Sequence, residues 1–310
     1  MKVIKCGGSI LKDITNRKRL YNEIKILEDK VVLIVSAFND SPYSTNSLNN
    51  LITNNYTFEM KQELLVIGEI ISSIRVCNEL LNEYIDADVL YKEEIGIIVQ
   101  TTDKMEQIVS LDNSKIKEKI NKHKVIVVPG FIGINQDNKI VTLNKNGSDL
   151  TALLIAKMLE IDEVFLYKDV LGLSSIDPSV STNYKLYKNI SYDLMNQIVM
   201  HGNGLVQDLA VKIAKENRIN IHIQNFLNHN FETLVSTVSK ERIVVFTESR
   251  QDIFIDGFTN KDFMENILRK HKLQFDYILP CNSYLKVVTS YNNQKQILLT
   301  LNNLYVKGEF

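Results

Sequence analysis

Three short segments carry residues able to handle phosphate. Lys5-Cys6-Gly7-Gly8-Ser9 directly follows the opening apolar run. Adjacent glycines let backbone amides approach an anion closely, and a lysine at a strand end neutralises charge that develops in phosphoryl transfer. The spacing is not that of a Walker loop, which requires G-x-x-x-x-G-K-[ST]. Gly147-Ser148-Asp149 follows Lys145-Asn146 and leads into an apolar helical stretch. A helix start binds anions through its free N–H groups, and an acid there orients reacting groups, although Ser or Asp at that place also serves as an ordinary cap. Lys168-Asp169-Val170-Leu171-Gly172, then Ile176-Asp177-Pro178, ends a strand and opens a loop, the place where open parallel sheets receive ligands. Singly, each segment is equally a turn or a cap.

Composition narrows the partners. Lys plus Arg number 36 against 37 for Asp plus Glu, a net charge of −1, which offers no footprint for a nucleic-acid backbone or an anionic membrane. The three cysteines, Cys6, Cys77 and Cys281, are far apart and odd in number, which argues against a disulfide framework and for a reducing, cytoplasmic setting. MKVIKCGG reaches its glycines after a few apolar residues, without the apolar core of a signal peptide. Apolar runs such as Val31 to Val35 are far short of the roughly 20 residues that cross a bilayer. The five histidines show no H-x-x-x-H or H-E-x-x-H spacing, so no zinc site is expected.

Elements with a βαβ rhythm must position the three segments. Short β-branched runs at Val3-Ile4, Val31 to Val35, Gly96 to Gln100, Val125 to Val128, Val164 to Tyr167 and Ile219 to Ile223 alternate with helical stretches. The helices fall at Arg17 to Leu27, around Leu64 to Ile71, again around Leu80-Leu81, and at Gly147 to Leu159. Continuous apolar strands between helices predict a three-layer αβα sandwich. After the Asn-rich stretch Gln224 to Asn230 a second set begins: strands Ile243 to Thr247 and Ile253 to Asp256, helix Lys261 to His271, strand Tyr284 to Ser290, then an apolar segment Ile297 to Leu301. The expected division is 1–228 and 240–310, the latter a small α+β module that is short for a self-sufficient core.

In their order, these segments resemble aspartokinase, of the amino acid kinase family, over nearly the whole chain. KCGGS resembles the family's K-F-G-G-T/S phosphate loop. IVSAF with Thr45 resembles its V-S-A segment, and IGEIISS resembles its G-E-x-x-S helix. VVPGFIGINQDNKIVTLNKNGSDLTA is similar to G-F-I-G-x-x-x-x-G-x-x-T-L-G-R-G-G-S-D-x-T-A, the longest of the matches. YKDVLGLSSIDP resembles T-D-V-x-G-V-Y-x-x-D-P, and the segment after residue 241 resembles one ACT regulatory module.

The resemblance implies the amino acid kinase fold and an ATP-dependent kinase that phosphorylates the side-chain carboxylate of aspartate. It implies that Lys5 stabilises the transferring phosphoryl group and Asp149 organises the catalytic centre. Gly7, Gly8 and Ser9 would contact phosphates, and Lys168, Asp169 and Asp177 would lie near the nucleotide, which arrives with Mg²⁺. Thr45, Glu69, Lys145 and Ser148 would hold the amino acid, and the ACT-like module would pair two chains into a homodimer. Several positions depart from the pattern: Lys145 stands for an arginine, Asn144 and Asn146 for its flanking glycines, Lys168 for a threonine, and Gly204 for a phosphate-side lysine. An ammonium is a point charge where a guanidinium grips a carboxylate bidentately. Two other readings follow, a kinase for a different carboxylate acceptor and a non-catalytic sensor of nucleotide or amino acid.

Overall fold

Runs of β-branched residues become the central strands. Val31 to Val35 and Val125 to Pro129 are buried at every position, as a parallel strand covered on both faces must be. The computed structural model describes residues 1–101, 106–144, 146–239, 241–250, 252–290 and 292–310. The chain begins β1 (Lys2–Cys6), α1 (Gly8–Leu11), α2 (Ile14–Ile26), β2 (Val31–Val35), α3 (Thr45–Asn49), α4 (Phe58–Asn82) and β3 (Ala87–Val89). It continues β4 (Ile97–Thr101), β5 (Glu106–Leu111), α5 (Ser114–Lys122), β6 (Val125–Pro129), β7 (Ile132–Ile134), β8 (Ile140–Thr142), α6 (Gly147–Met158) and β9 (Glu163–Lys168). Then come β10 (Leu173–Ser174), β11 (Leu186–Tyr187), β12 (Asn189–Ser191), α7 (Tyr192–Met200), α8 (Asp208–Asn217), β13 (Asn220–Asn225) and β14 (Glu232–Ser236). The last elements are β15 (Val245–Ser249), β16 (Asp252–Asp256), α9 (Lys261–Lys270), β17 (Tyr277–Pro280), β18 (Tyr284–Val288) and α10 (Gln294–Lys307). Two compact units result, Met1–Val170 with Ile213–Asn230, and Leu171–Lys212 with Phe231–Phe310.

In the first unit the strands β13, β9, β1, β2, β6 and β3 lie side by side in that order, all parallel. Alternation of side chains sorts the faces. Ile4, Cys6, Val31, Leu33 and Val35 join Leu20, Tyr21 and Ile24 of α2 and Val76, Cys77 and Leu80 of α4 in one apolar core. Lys5, between Ile4 and Cys6, turns to the opposite face, where α6 lies. These are the three layers. Arg17, buried in α2, donates through Nε and Nη2 to Glu79 of α4 at 2.7 and 3.0 Å, and Tyr21 Oη donates to the same carboxylate at 2.9 Å. That network ties α4 to α2.

Where two helices were expected between Leu64 and Leu81, α4 is one helix of 25 residues. Its buried face is Gln62, Val66, Glu69, Ser72, Ser73, Val76, Cys77 and Leu80, while Ile67, Ile71 and Ile74 are exposed. The apolar residues thus ring the helix instead of marking one side, and the period is hard to read. Gly68 does not break the helix: an added Cβ there would lie 2.1 Å from the Tyr43 carbonyl oxygen, so glycine permits a close crossing.

In the second unit β15, β16, β18 and β17 form an antiparallel sheet. The order is ββαββα, with one strand more than expected. β17 is an edge strand with only Ile278 buried and a proline at its end, a weak signal by composition. The apolar segment Ile297 to Leu301 lies in α10, which buries Ile297, Leu298, Leu301, Leu304 and Tyr305 at helical spacing. α7 ends at His201, whose Nδ1 lies 2.8 Å from Oδ1 and 3.1 Å from Oδ2 of Asp256. Gln197 Nε2 donates to the same carboxylate, and the His201 ring stacks on Phe254 with centroids 4.0 Å apart.

Candidate active site

Lys5 and Lys168 meet because of strand register. Lys5 pairs with Leu166, and Lys168 is two residues further along β9, so both point to the same face. Two residues of strand separate them by about 7 Å, within reach of one carboxylate between long side chains. Asp149, third residue of α6, supplies it: Lys5 Nζ lies 3.0 Å from Oδ1 and Lys168 Nζ donates to Oδ2 at 2.8 Å. The Asp149 side chain is fully buried, whereas those of Lys5 and Lys168 keep 10% and 15% of their surface exposed. Burial raises the Asp149 carboxyl, but Lys168 and Lys5 together outweigh it and hold the group below its usual range. Burial likewise depresses the Lys168 ammonium, opposed by Asp149 and assisted by Lys5. Both oxygens of the carboxylate therefore face cations, an arrangement suited to gathering positive charge and unsuited to taking a proton.

The diglycine lies at the end of β1 beside this cluster. An added Cβ at Gly7 would have Lys5 Nζ, Ser9 Oγ and the Tyr167 carbonyl oxygen each at 3.8 Å, ordinary contact, so glycine leaves an open approach over the lysine. At Gly8 an added Cβ would lie 2.0 Å from the Ala37 carbonyl oxygen, and the Asn39 amide donates to the Gly8 carbonyl at 3.1 Å. Gly8 is thus required by the close crossing of the start of α1 and the segment that follows β2. Ser9 is half-buried in α1, and Cys6 packs in the core, its thiol pushed up to about 12 by burial.

Glu69 is the second buried acid. Its Oε1 accepts from the Ala37 amide at 3.4 Å, and Oε2 has no hydrogen-bond partner among the described residues. Burial pushes its pKa up to about 7, against the opposing pull of the Ala37 amide, the Thr45 hydroxyl and Lys5. Thr45 opens α3, half-buried. Ser148 is buried and accepts from the Ser36 hydroxyl at 3.1 Å. Asp169 is exposed just past β9. Asp177 belongs to the second unit, is exposed, and accepts from the Ser179 amide at 2.7 Å as an Asx turn. Lys145 lies outside the described residues.

Sequence reasoning passed over Ser36 and Gly130. An added Cβ at Gly130 would come 2.6 Å from Ser148 Cβ and Oγ, so this glycine lets the start of α6 press against the end of β6. Asn144 and Asn146 occupy left-handed backbone, φ 54° and 62°, where asparagine is the best-tolerated residue after glycine.

A parallel αβα sandwich with two lysines, a buried aspartate and a diglycine at the carboxyl ends of its strands defines an anion-handling α/β protein. The particular kind is given by comparison. Residues 1–225 match the amino acid kinase family, and the chain belongs to that family. Aspartokinase 1 of Bacillus subtilis (strain 168) is 27% identical over 253 residues, 78% of this chain and 63% of that protein. Aspartokinase of Helicobacter pylori (strain ATCC 700392 / 26695) is 27% identical over 239 residues, 75% of this chain and 58% of that protein. The chain thus spans about three fifths of the length of the curated relatives it matches. Among solved structures, E. coli aspartokinase III in complex with aspartate and ADP superposes with a TM-score of 0.68 at 16% identity, covering 98% of this chain and 83% of that one. UMP kinase from Ureaplasma parvum gives 0.54 at 18% identity, covering 76% of this chain and 97% of that one. These likenesses establish the fold.

Proposed function

We propose that the chain is an ATP-dependent kinase that phosphorylates the side-chain carboxylate of aspartate. One observation carries the reading: two lysines gathered by one buried aspartate beside an open diglycine. In this reaction a carboxylate oxygen attacks the γ-phosphorus, the bond from that phosphorus to the ADP oxygen breaks, and an acyl phosphate and ADP result. The nucleophile is already an anion, so no general base is needed, and the enzyme's task is positioning and charge neutralisation. A carboxylate whose oxygens both face ammonium groups suits that task.

Gly7, Gly8 and Ser9 would contact the phosphates, with Lys168, Asp169 and Asp177 near the nucleotide. Mg²⁺ enters as the nucleotide's counter-ion. Thr45, Ser148 and Lys145 would hold the amino acid, and Glu69 would meet its ammonium. Glu69 Oε2 makes no hydrogen bond among the described residues, which leaves that oxygen available to an ammonium group. Aspartokinase relatives and a structural neighbour solved with aspartate and ADP support this acceptor.

Residues 1–228 would form the catalytic part and 240–310 an ACT-like module that pairs two chains. Among the described residues no helix is long and apolar enough to cross a membrane, and the buried thiols of Cys6 and Cys77 suit a cytoplasmic setting. Lys145 in place of arginine favours a second reading with the same chemistry and another carboxylate acceptor. Hydroxamate formation from ATP, hydroxylamine and a panel of amino acids tests both. Turnover with aspartate that vanishes in Lys5→Ala and Asp149→Ala is the expected result, a stronger response to another acceptor selects the second reading, and wild-type turnover in either variant overturns both.

A further inference from the structure

We propose that Lys168 is a catalytic residue whose ammonium contacts the transferring phosphoryl group together with Lys5, and that Asp149 is a positioning residue that spaces the two ammonium groups. The inference rests on the phosphoryl-transfer reading above and adds to it the origin of the second cation.

Access separates the roles. Asp149 is wholly buried, so a ligand cannot touch it, whereas Lys5 and Lys168 each retain exposed surface. Charge gives the same division. Lys5 and Asp149 alone form a balanced pair, and Lys168 brings a second basic nitrogen to the same carboxylate in a largely desolvated place. A second cation there is costly unless an anion completes it. The backbone leaves room for that anion: the open side of Gly7 faces both Lys5 Nζ and the carbonyl of Tyr167, the residue before Lys168. Lys168 is also held from behind, because the Phe226 amide donates to its carbonyl at 2.9 Å and the residue pairs with Asn225. The ammonium is therefore presented from a rigid strand end, as preorganised charge stabilisation requires.

The rival role for Lys168 is a tether that only satisfies Asp149. The test uses the full chain as wild type, Lys168→Met and Lys168→Arg. Calorimetry measures binding of Mg·ADP with and without aluminium fluoride, a mimic of the transferring phosphoryl group, and ADP release with aspartate gives kcat and KM. In Lys168→Met, Mg·ADP affinity should stay within about threefold of wild type, most of the tightening by aluminium fluoride should vanish, and kcat should fall about 10²–10³-fold. KM for aspartate should change little, and Lys168→Arg should retain the tightening.

The inference is overturned if Lys168→Met keeps both the tightening and a kcat within about threefold of wild type. It is equally overturned if Met and Arg variants lose them alike with matching falls in Tm, the mark of a tether. Should Lys168→Met not fold, Lys168→Gln, which keeps a hydrogen-bond donor without the charge, replaces it under the same two criteria. Wild type that fails to bind Mg·ADP at all overturns the kinase reading and this inference with it. Wild type that responds to aluminium fluoride beside an unchanged Lys168→Met overturns the inference alone.

Discussion

Asp149 and Asp256 are both fully buried, one in each compact unit, and they are satisfied in different ways. Asp256 accepts hydrogen bonds from the Gln197 amide and faces the His201 ring, which in turn stacks on Phe254. Its partners are an amide and a stacked imidazole, and the result is a clamp between α7 and β16. Asp149 faces two lysine side chains that still reach solvent. A buried acid surrounded by dipoles holds a fold together, whereas one shared by two lysines leaves a basic group to spare for a ligand.

Substitutions separate the two cases. Lys5→Ala and Asp149→Ala should each reduce hydroxamate formation by more than about 10³-fold, checked on samples whose circular dichroism shows a folded chain. Asp256→Ala should instead cost about 3–5 kcal/mol of stability, as breaking a buried pair does, with turnover per folded molecule preserved. Urea titration and active-site-normalised rates measure the two together, and a catalytic collapse in Asp256→Ala with unchanged stability would erase the distinction.

Glu69 provides a contrast in pH. Its folded pKa, about 7 against an ordinary 4.5, means the folded chain holds a proton that the unfolded chain has released across that window. Stability of the ligand-free protein should therefore fall as pH rises from 4.5 through 7, by about 3 kcal/mol in all. Asp149 acts with the opposite sign: its lowered pKa gives stability that is present above the ordinary aspartate range and lost as pH falls through the folded value. Denaturant midpoints against pH should lose the 4.5-to-7 slope in Glu69→Gln. The smallest effect divides the diglycine. Gly8→Ala should destabilise by about 1–3 kcal/mol through overpacking against Ala37. Gly7→Ala should leave stability within about 0.5 kcal/mol yet weaken nucleotide binding.

Much of the first unit is readable from residue pattern because its signals are local. Val31 to Val35 is a strand at its expected limits since five β-branched or aliphatic residues in a row admit little else. Gly147 starts α6 because a loop with left-handed residues cannot continue into it unbroken. What escaped is non-local or weakly marked. No spacing in the chain says that Lys5, Asp149 and Lys168 share one point; that follows from β1 lying beside β9 in one register. The single α4 escaped because Ile67, Ile71 and Ile74 face outward, and β17 because an edge strand buries one residue. The resemblance supplied the residues, and the register supplied their relation.

The asparagines at 144 and 146 carry a consequence for how the loop before α6 is ordered. Glycine there would sample a wide range of backbone shapes in the unfolded chain, all of which must be surrendered on folding. Asparagine narrows that range beforehand and accepts some torsional cost in the finished loop. The two contributions oppose each other, so restoring glycine at both positions should barely change the melting temperature while loosening the turn that delivers Ser148 and Asp149 to their places. Asparagine at these two places thus trades freedom in the unfolded chain for readiness at the start of the helix.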